Sequence, residues 1–295
     1  MKIASTHSSR EIEAARTFLF VPADRPDRVV KALASGADFV IADLEDAVAA
    51  AAKPAAREHL AQLLQSLTLS DRRRVIVRIN AAADASHEAD LTVLRELQSC
   101  GPAALVVPKV DDVHSFTAVT QACPALALIP LIETAKAFQS MADIASAPQV
   151  VRLAFGHLDL QAELGMDAGV NQAELAPARW ALVVASGQAG LPPPIDGVTP
   201  DFSDPVQLQA DVRRSLRAGF GGKLCIHPGQ VQVVHMAIAP TVEEAAWARR
   251  VIYAVEDAQG GAVQLDGRMV DAPVVKLAHR LLARVERVTP SADVS

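Results

Sequence analysis

The sequence predicts an α/β protein, a TIM (β/α)8 barrel with a C-terminal helical lid, and three observations lead to it. Eight short apolar runs rich in β-branched residues follow one another from Thr17 to His227. Amphipathic helical stretches separate them, several closed by a glycine, as helix ends prefer. Polar and charged residues gather just past the ends of the runs. Strands alternating with helices argue against a sandwich, and eight such units in about 230 residues are the size of a TIM barrel.

Residues 1–16, "MKIASTHSSREIEAAR", are polar and read as an N-terminal arm or a short extra helix, with Ser8 or Ser9 as its cap. The barrel is assigned to residues 17–238. Its strands are expected in "TFLFVP" from Thr17, "DFVIAD" from Asp38, "RVIVRI" from Arg74, "ALVVPKV" from Ala104, "LALIPLI" from Leu126, "VVRLAF" from Val150, "PIDGV" from Pro194 and "KLCIH" from Lys223. Helical patterns such as "PDRVVKALASG", "PAAREHLAQLLQSL", "TAKAFQSMADIAS" and "DPVQLQADVRRSLRAG" connect them. Residues 239–295 form the lid. In it "TVEEAAWARRVIYAVEDAQ" is a helix, "GGAVQLDGRMVDAP" a short loop or hairpin, and "PVVKLAHRLLARVERV" a basic amphipathic helix.

With 295 residues, 51% of them hydrophobic, the chain can bury a large core. Aromatics make up only 4%, so Ala, Val, Leu and Ile must build that core. A formal charge of −6 without a dense basic tract gives no support to a nucleic-acid surface. Cys100, Cys123 and Cys225 are too few and too widely spaced for a disulfide framework or a zinc ribbon, and are expected reduced. No apolar segment suits a signal peptide or approaches the roughly 18 to 20 residues of a membrane span, so a soluble cytoplasmic protein is expected.

A barrel places its active site where the strands end. The residues there are Asp43, Glu45 and Asp46 in "ADLEDAV", Arg78 and Asn80 in "VRIN", Lys109 in "VPKV", Glu133 in "LIET", His157 and Asp159 in "GHLDL", Asp196 in "IDGV" and His227 in "IHPGQ". A single strand-end carboxylate reads equally well as a helix cap or a loop salt bridge. Five or more converging on one mouth repel unless a cation or several basic groups compensate, which makes a hard divalent metal with oxygen ligands plausible. Mg2+ suits best, because it takes one or two protein carboxylates and leaves other positions to water and substrate. Zinc suits less well, since His157 and His227 lack a thiolate or a closely spaced partner histidine.

The stretches "FLFVPADRPDRVVKALASGADFVIADLEDAV", "VRIN", "VVPKV", "LIET", "FGHLDL", "IHPGQV" and "GRMVDAP" fall in one order from about Arg16 to Arg287. In that order they resemble the citrate lyase beta subunit family of the HpcH/HpaI aldolase/citrate lyase superfamily, whose acyl-CoA lyases include malyl-CoA and citramalyl-CoA lyases. The resemblance implies a TIM barrel with a C-terminal lid, assembled as a homotrimer or hexamer. It implies that Glu133 and Asp159 are the Mg2+ ligands and that Arg78 holds the substrate carboxylate. Asp43 would reach the metal through water, Glu45 would orient a neighbour, and Arg25 and Lys31 would meet coenzyme A phosphates. Asp271 in "GRMVDAP" would serve the active site of a neighbouring subunit, although its place before "APVVKLAHRLL" also suits a helix cap.

The implied chemistry is reversible cleavage of a 3-hydroxy acyl-CoA thioester, of the citryl-, malyl- or citramalyl-CoA type, into acetyl-CoA and a 2-oxo acid. Asp271 would protonate the enolate that cleavage expels. Three alternatives share the motifs: an aldolase on free hydroxy-keto acids, an acyl-CoA thioesterase, and a non-autonomous citrate lyase subunit docking an acyl carrier protein. The sequence also departs from the family pattern. "VPA" replaces the usual "VPG", so Ala23 is expected in a glycine-like backbone conformation. His157 and Leu158 stand where many members carry a small or polar residue and an acid, and the loop "AAADASH" is bare. These changes bear on the substrate pocket more than on the metal.

Overall fold

The computed structural model describes residues 7–97, 100–258 and 263–286. The start of the expected arm, the first residues of the "GGAVQLDGRMVDAP" segment and the end of the last expected helix lie outside these residues.

Eight strands close into a parallel barrel: β1 (Thr17–Pro22), β2 (Phe39–Asp43), β3 (Val75–Arg78), β4 (Ala104–Val107), β5 (Ala127–Ile132), β6 (Ala154–Phe155), β7 (Ile195–Asp196) and β8 (Gly222–Cys225). Each pairs with the next, and β8 returns to β1 with Phe18 opposite Leu224. Every expected run holds one strand, although β6 and β7 keep only two residues each.

Side chains alternate between the two faces of a strand. Phe18, Ile41, Ile76, Val106, Ile129, Leu131, Ile195 and Leu224 fill the inside of the barrel in one cluster. Two aromatics brace this otherwise aliphatic interior, since Phe18 and Phe39 stack with ring centroids 5.7 Å apart. Asp43, Arg78 and Glu133 share the parity of Ile41, Ile76 and Leu131, so they continue the inner face beyond the strand ends. Asp196 has the opposite parity to Ile195 and turns toward the helices.

The polar N-terminal segment is not a free arm where it is described. It contains the helix His7–Ala14, whose Ile12 is fully buried in the barrel's core cluster. Ser8 and Ser9 therefore lie within the helix rather than at its cap. Arg152 fixes this segment by donating from Nη1 to the carbonyls of Ile12 (2.9 Å) and Ala15 (2.7 Å) and from Nε to that of Pro193 (2.7 Å).

Among the connecting helices, Pro26–Leu33, Lys53–Ser66 and Pro205–Ala218 follow the expected patterns, and His87–Glu96 lies between β3 and β4. Pro205–Ala218 ends on Gly219 at φ 102, a left-handed conformation that costs glycine nothing. "TAKAFQSMADIAS" is split at Ser140 into Ala135–Gln139 and Met141–Ser146. Ala23 is not among the described non-glycine residues with positive φ, so the replacement in "VPA" needs no glycine conformation.

The chain divides into two compact units, Met1–Val234 and His235–Ser295, with the helix Pro228–Ile238 crossing the boundary. The second unit has its own small core of Ala248, Val251, Val270 and Ala278. Its helix Val242–Asp257 starts on a capping box in which Thr241 and Glu244 satisfy each other's backbone N–H groups. The following hairpin, β9 (Val263–Leu265) and β10 (Arg268–Val270), turns on Asp266 and Gly267, both with positive φ as a two-residue turn of this kind requires. The helix Ala272–Glu286 follows. All three cysteines are free thiols. Among the described residues no helix is long and apolar enough to cross a membrane.

Candidate active site

At the C-terminal ends of the strands lies a cavity of about 340 Å³. Its polar wall consists of Asp43, Asp46, Arg78, Glu133, His157 and Asp159. Phe20, Leu131, Phe155, Val198 and Leu224 supply much of the apolar wall. These apolar residues were not singled out from the sequence, yet the parity that places Phe18 inside the barrel also places Phe20 at its mouth.

Asp43 and Arg78 form the best-defined pair. Arg78 donates from Nε to Asp43 Oδ1 at 2.6 Å and from Nη2 to Oδ2 at 2.5 Å, with its guanidinium 4.8 Å from the centroid of the Phe20 ring. Asp43 also accepts from the backbone N–H groups of Glu45 (3.0 Å) and Ala47 (3.1 Å). Four bonds occupy the lone pairs of a carboxylate. In this arrangement Asp43 holds the Arg78 guanidinium from behind.

Glu45 is buried between two cations. Its Oε1 accepts from Lys109 Nζ at 2.5 Å, and Oε2 lies 2.9 Å from Arg78 Nη1. That second contact is an ion pair without hydrogen-bond alignment, since Oε2 has no hydrogen-bond partner. Burial raises the Glu45 pKa against the opposing pull of Arg78 and Lys109. Glu45 thus links the cations of Lys109 and Arg78 at the edge of the cavity. Asp46 is more exposed and lies 3.4 Å from Lys109 Nζ.

Glu133 is buried at 2% exposure, and its Oε1 accepts from the backbone N–H of Lys109 at 2.7 Å. Burial and then the nearby Asp159 push its pKa up to about 8, against the pull of that N–H. Asp159 stands in the first turn of the helix His157–Leu164 and has no hydrogen-bond or ion-pair partner among the described residues. Between the two acids Gly156 leaves room that a side chain would fill, because a Cβ there would run into the Glu133 carboxylate. Two uncompensated carboxylates on one cavity suit a hard divalent cation. No group of three or more His, Cys, Asp or Glu side chains surrounds a common point among the described residues. The donor set therefore suits Mg2+, which keeps water and substrate oxygens, better than an all-protein cage.

His157 lines the same cavity, buried beside the cluster of Asp196, Lys223 and Arg179. Burial lowers its pKa to about 4 despite Asp196, with Lys223 and Arg179 adding to the effect, so the ring is neutral at pH 7. Leu158 also reaches the cavity, so both departures from the family pattern at this point face its interior.

Other strand-end candidates are elsewhere. Asp196 accepts from Arg179 Nε (3.1 Å) and Lys223 Nζ (3.3 Å) in a buried ion cluster. Asn80 donates to Leu44 O and Asp90 and accepts from Lys53, an arrangement that ties the loop after β3 to the helix Lys53–Ser66. The bare loop is anchored further by Asp84 to Lys53 at 3.3 Å, and it does not line the cavity. His227 is exposed and stacks on Phe202 at 4.9 Å. Arg25 and Lys31 are exposed on or beside the helix Pro26–Leu33, 3.7 and 3.9 Å from a shared Asp27. Asp271 is exposed, and its Oδ1 accepts from the N–H of Val274 at 3.3 Å, the geometry of a helix cap.

A family model described as HpcH/HpaI aldolase/citrate lyase matches residues 16–228. Over 277 residues the chain is 37% identical to a citrate lyase subunit beta-like protein of Mycobacterium tuberculosis, covering 92% of this chain and 96% of that one. It is 31% identical over 285 residues to a (3S)-malyl-CoA thioesterase of Cereibacter sphaeroides, covering 92% and 95%. Among solved structures, the protein CitE of M. tuberculosis in complex with magnesium, acetoacetate and coenzyme A is similar with a TM-score of 0.81 at 36% identity, over 93% of this chain and 99% of that one. The barrel, the family match along it and the identity over nearly the whole chain agree, and the chain belongs to the HpcH/HpaI aldolase/citrate lyase family.

Proposed function

We propose that the chain is a Mg2+-dependent carbon–carbon lyase that cleaves a 3-hydroxy acyl-CoA thioester of the citryl-, malyl- or citramalyl-CoA type into acetyl-CoA and a 2-oxo acid. The observation that carries this reading is Glu133, a buried carboxylate with a pKa near 8, bonded through one oxygen only and set beside the unpartnered Asp159. The solved relative that contains magnesium, acetoacetate and coenzyme A supports it.

Glu133 and Asp159 hold the cation, which when bound supplies positive charge to a substrate hydroxyl as it becomes a carbonyl. Arg78 binds the substrate carboxylate with N–H groups that Asp43 does not use; two of its five donors are engaged in hydrogen bonds to that residue. Phe20, Leu131 and Val198 give the same cavity apolar lining for the rest of the substrate. As the hydroxyl gives up its proton to water and the carbon–carbon bond breaks, the O–H electron pair forms the new carbonyl and the carbon–carbon pair passes to the carbon next to the thioester, giving an enolate. In this reading the carboxylic acid of Asp271, from a neighbouring subunit of a homotrimer or hexamer, delivers the proton that completes acetyl-CoA. Arg25 and Lys31, exposed cations sharing one weak partner, meet the coenzyme A phosphates.

A thioesterase is the second reading, favoured by the relative named (3S)-malyl-CoA thioesterase. Incubation with citryl-, malyl- and citramalyl-CoA, with and without Mg2+, separates the two. Acetyl-CoA together with a 2-oxo acid supports the lyase, whereas free coenzyme A with an intact hydroxy acid replaces it with the thioesterase.

A further inference from the structure

Lys109 carries a backbone that a lysine does not choose. It follows β4 with φ at 48°, in the left-handed region where a side chain crowds the main chain. By strand parity, Val106 faces inward and Lys109 would face away from the barrel's interior. The positive φ departs from that continuation, and the residue meets the site through both its main chain and its side chain. Its N–H points at Glu133 Oε1, 2.7 Å away. Its Nζ lies 2.5 Å from Glu45 Oε1, and the other oxygen of Glu45 lies 2.9 Å from Arg78 Nη1. Strain of this kind persists where the surroundings over-determine it, and its location at a functional site is informative.

We propose that Lys109 is a positioning residue with two separable actions: its strained main chain aims the Glu133 carboxylate, and its ammonium group, through Glu45, sets Arg78. The proposal rests on the reading of Glu133 as a Mg2+ ligand. A Glu133 held by one oxygen presents the other to the cation in a single orientation. Gly156 allows the carboxylate that orientation, because a Cβ at residue 156 would occupy the same space. On the side-chain branch, Glu45 without Lys109 would have Arg78 as its remaining close cationic partner and would draw the guanidinium away from substrate.

Two types of substitution separate the actions. Lys109→Gly removes the ammonium and accepts a positive φ without cost, whereas Lys109→Val removes the ammonium and, being β-branched, resists that φ. Mg2+ affinity is read by calorimetry on the full-length wild type and both variants, and affinity for pyruvate, oxaloacetate and glyoxylate is read in saturating Mg2+. The expected result is Mg2+ affinity close to wild type in Lys109→Gly and about tenfold weaker in Lys109→Val. Affinity for the bound 2-oxo acid should fall about tenfold in Lys109→Gly. A Lys109→Gly variant that loses Mg2+ affinity overturns the separation of the two actions, and does so even if Lys109→Val fails to fold. Wild-type Mg2+ affinity in a folded Lys109→Val overturns the main-chain action, and wild-type affinity for every 2-oxo acid in Lys109→Gly overturns the side-chain action. Absence of Mg2+ binding in the wild type itself is distinct from all of these and removes the metal reading.

Discussion

Arg78 and Asp43 are joined by two hydrogen bonds of 2.6 and 2.5 Å, so the guanidinium expected to grip substrate is itself gripped from behind. The pair is nearly buried, with side-chain exposures of 11% and 1%. Burying such charges is costly, and the fork repays that cost only while both partners and their hydrogen bonds remain.

Arg78→Lys keeps a positive charge but loses the planar fork. Binding of the 2-oxo acid should weaken by about 1 to 3 kcal/mol. Asp43→Asn should also weaken that binding, because Arg78 loses its anchor, and should lower stability as well. Calorimetry with pyruvate, oxaloacetate and glyoxylate, alongside urea denaturation, checks both; unchanged affinity for all three acids in Arg78→Lys would remove Arg78 from the substrate site.

Glu133 makes the metal-free protein sensitive to pH. Its pKa stands at about 8 in the folded chain against an ordinary value of 4.5. Between those values the folded chain holds more protons than the unfolded one, so this residue's contribution to stability falls as pH rises through the window and levels off above it. Without metal, Glu133→Gln should gain melting temperature relative to wild type as the pH moves from 5 to 9. With Mg2+ present, the wild type should release a proton on binding at pH 7 and little at pH 9, as read by calorimetry in buffers of different ionisation enthalpy. Parallel melting curves for wild type and Glu133→Gln across that range would contradict the raised pKa.

The sequence showed which residues end strands more clearly than which way they point. Asp43, Glu133 and Asp196 look alike in that respect, and only parity separates them: the first two share a face with Ile41 and Leu131, while Asp196 alternates away from Ile195. Parity was available in the sequence and would have removed Asp196 from the site. Asn80 was less legible, because its partners Lys53 and Asp90 come from other helices and no local pattern announces them. Saturation of Asp43 was equally hidden, since two of its four bonds come from turn N–H groups whose direction depends on the folded backbone. The strands themselves were legible because each is a short β-branched run with a turn signal on either side.

Asp196 provides a contrast with Glu133 at similar burial. Burial pushes its pKa up, but Lys223 and Arg179 outweigh this and hold it below the usual carboxylate range. Asp196→Asn would leave those two cations buried without their shared anion, which typically costs about 3 to 5 kcal/mol. Urea denaturation at pH 7 should therefore show Asp196→Asn strongly destabilised while metal-free Glu133→Gln is not. A destabilisation of Asp196→Asn under about 1 kcal/mol would mean that the cluster is solvated.

Asp271 allows its two roles to be separated, because asparagine caps a helix as well as aspartate does but cannot donate a carboxylic proton. Its Oδ1 accepts from Val274 N–H at 3.3 Å at the start of the helix Ala272–Glu286. Asp271→Ala should then lose about 0.5 to 2 kcal/mol of stability, and Asp271→Asn should lose little. If Asp271 also transfers the proton, Asp271→Asn should be inactive despite an intact helix. A shared site adds a further expectation: inactive Asp271→Asn and inactive Glu133→Gln should regain partial activity when reassembled into mixed oligomers, each supplying the group that the other lacks. Full turnover in Asp271→Asn leaves the residue as a cap alone, and verified mixed oligomers without recovered activity exclude a site shared between subunits.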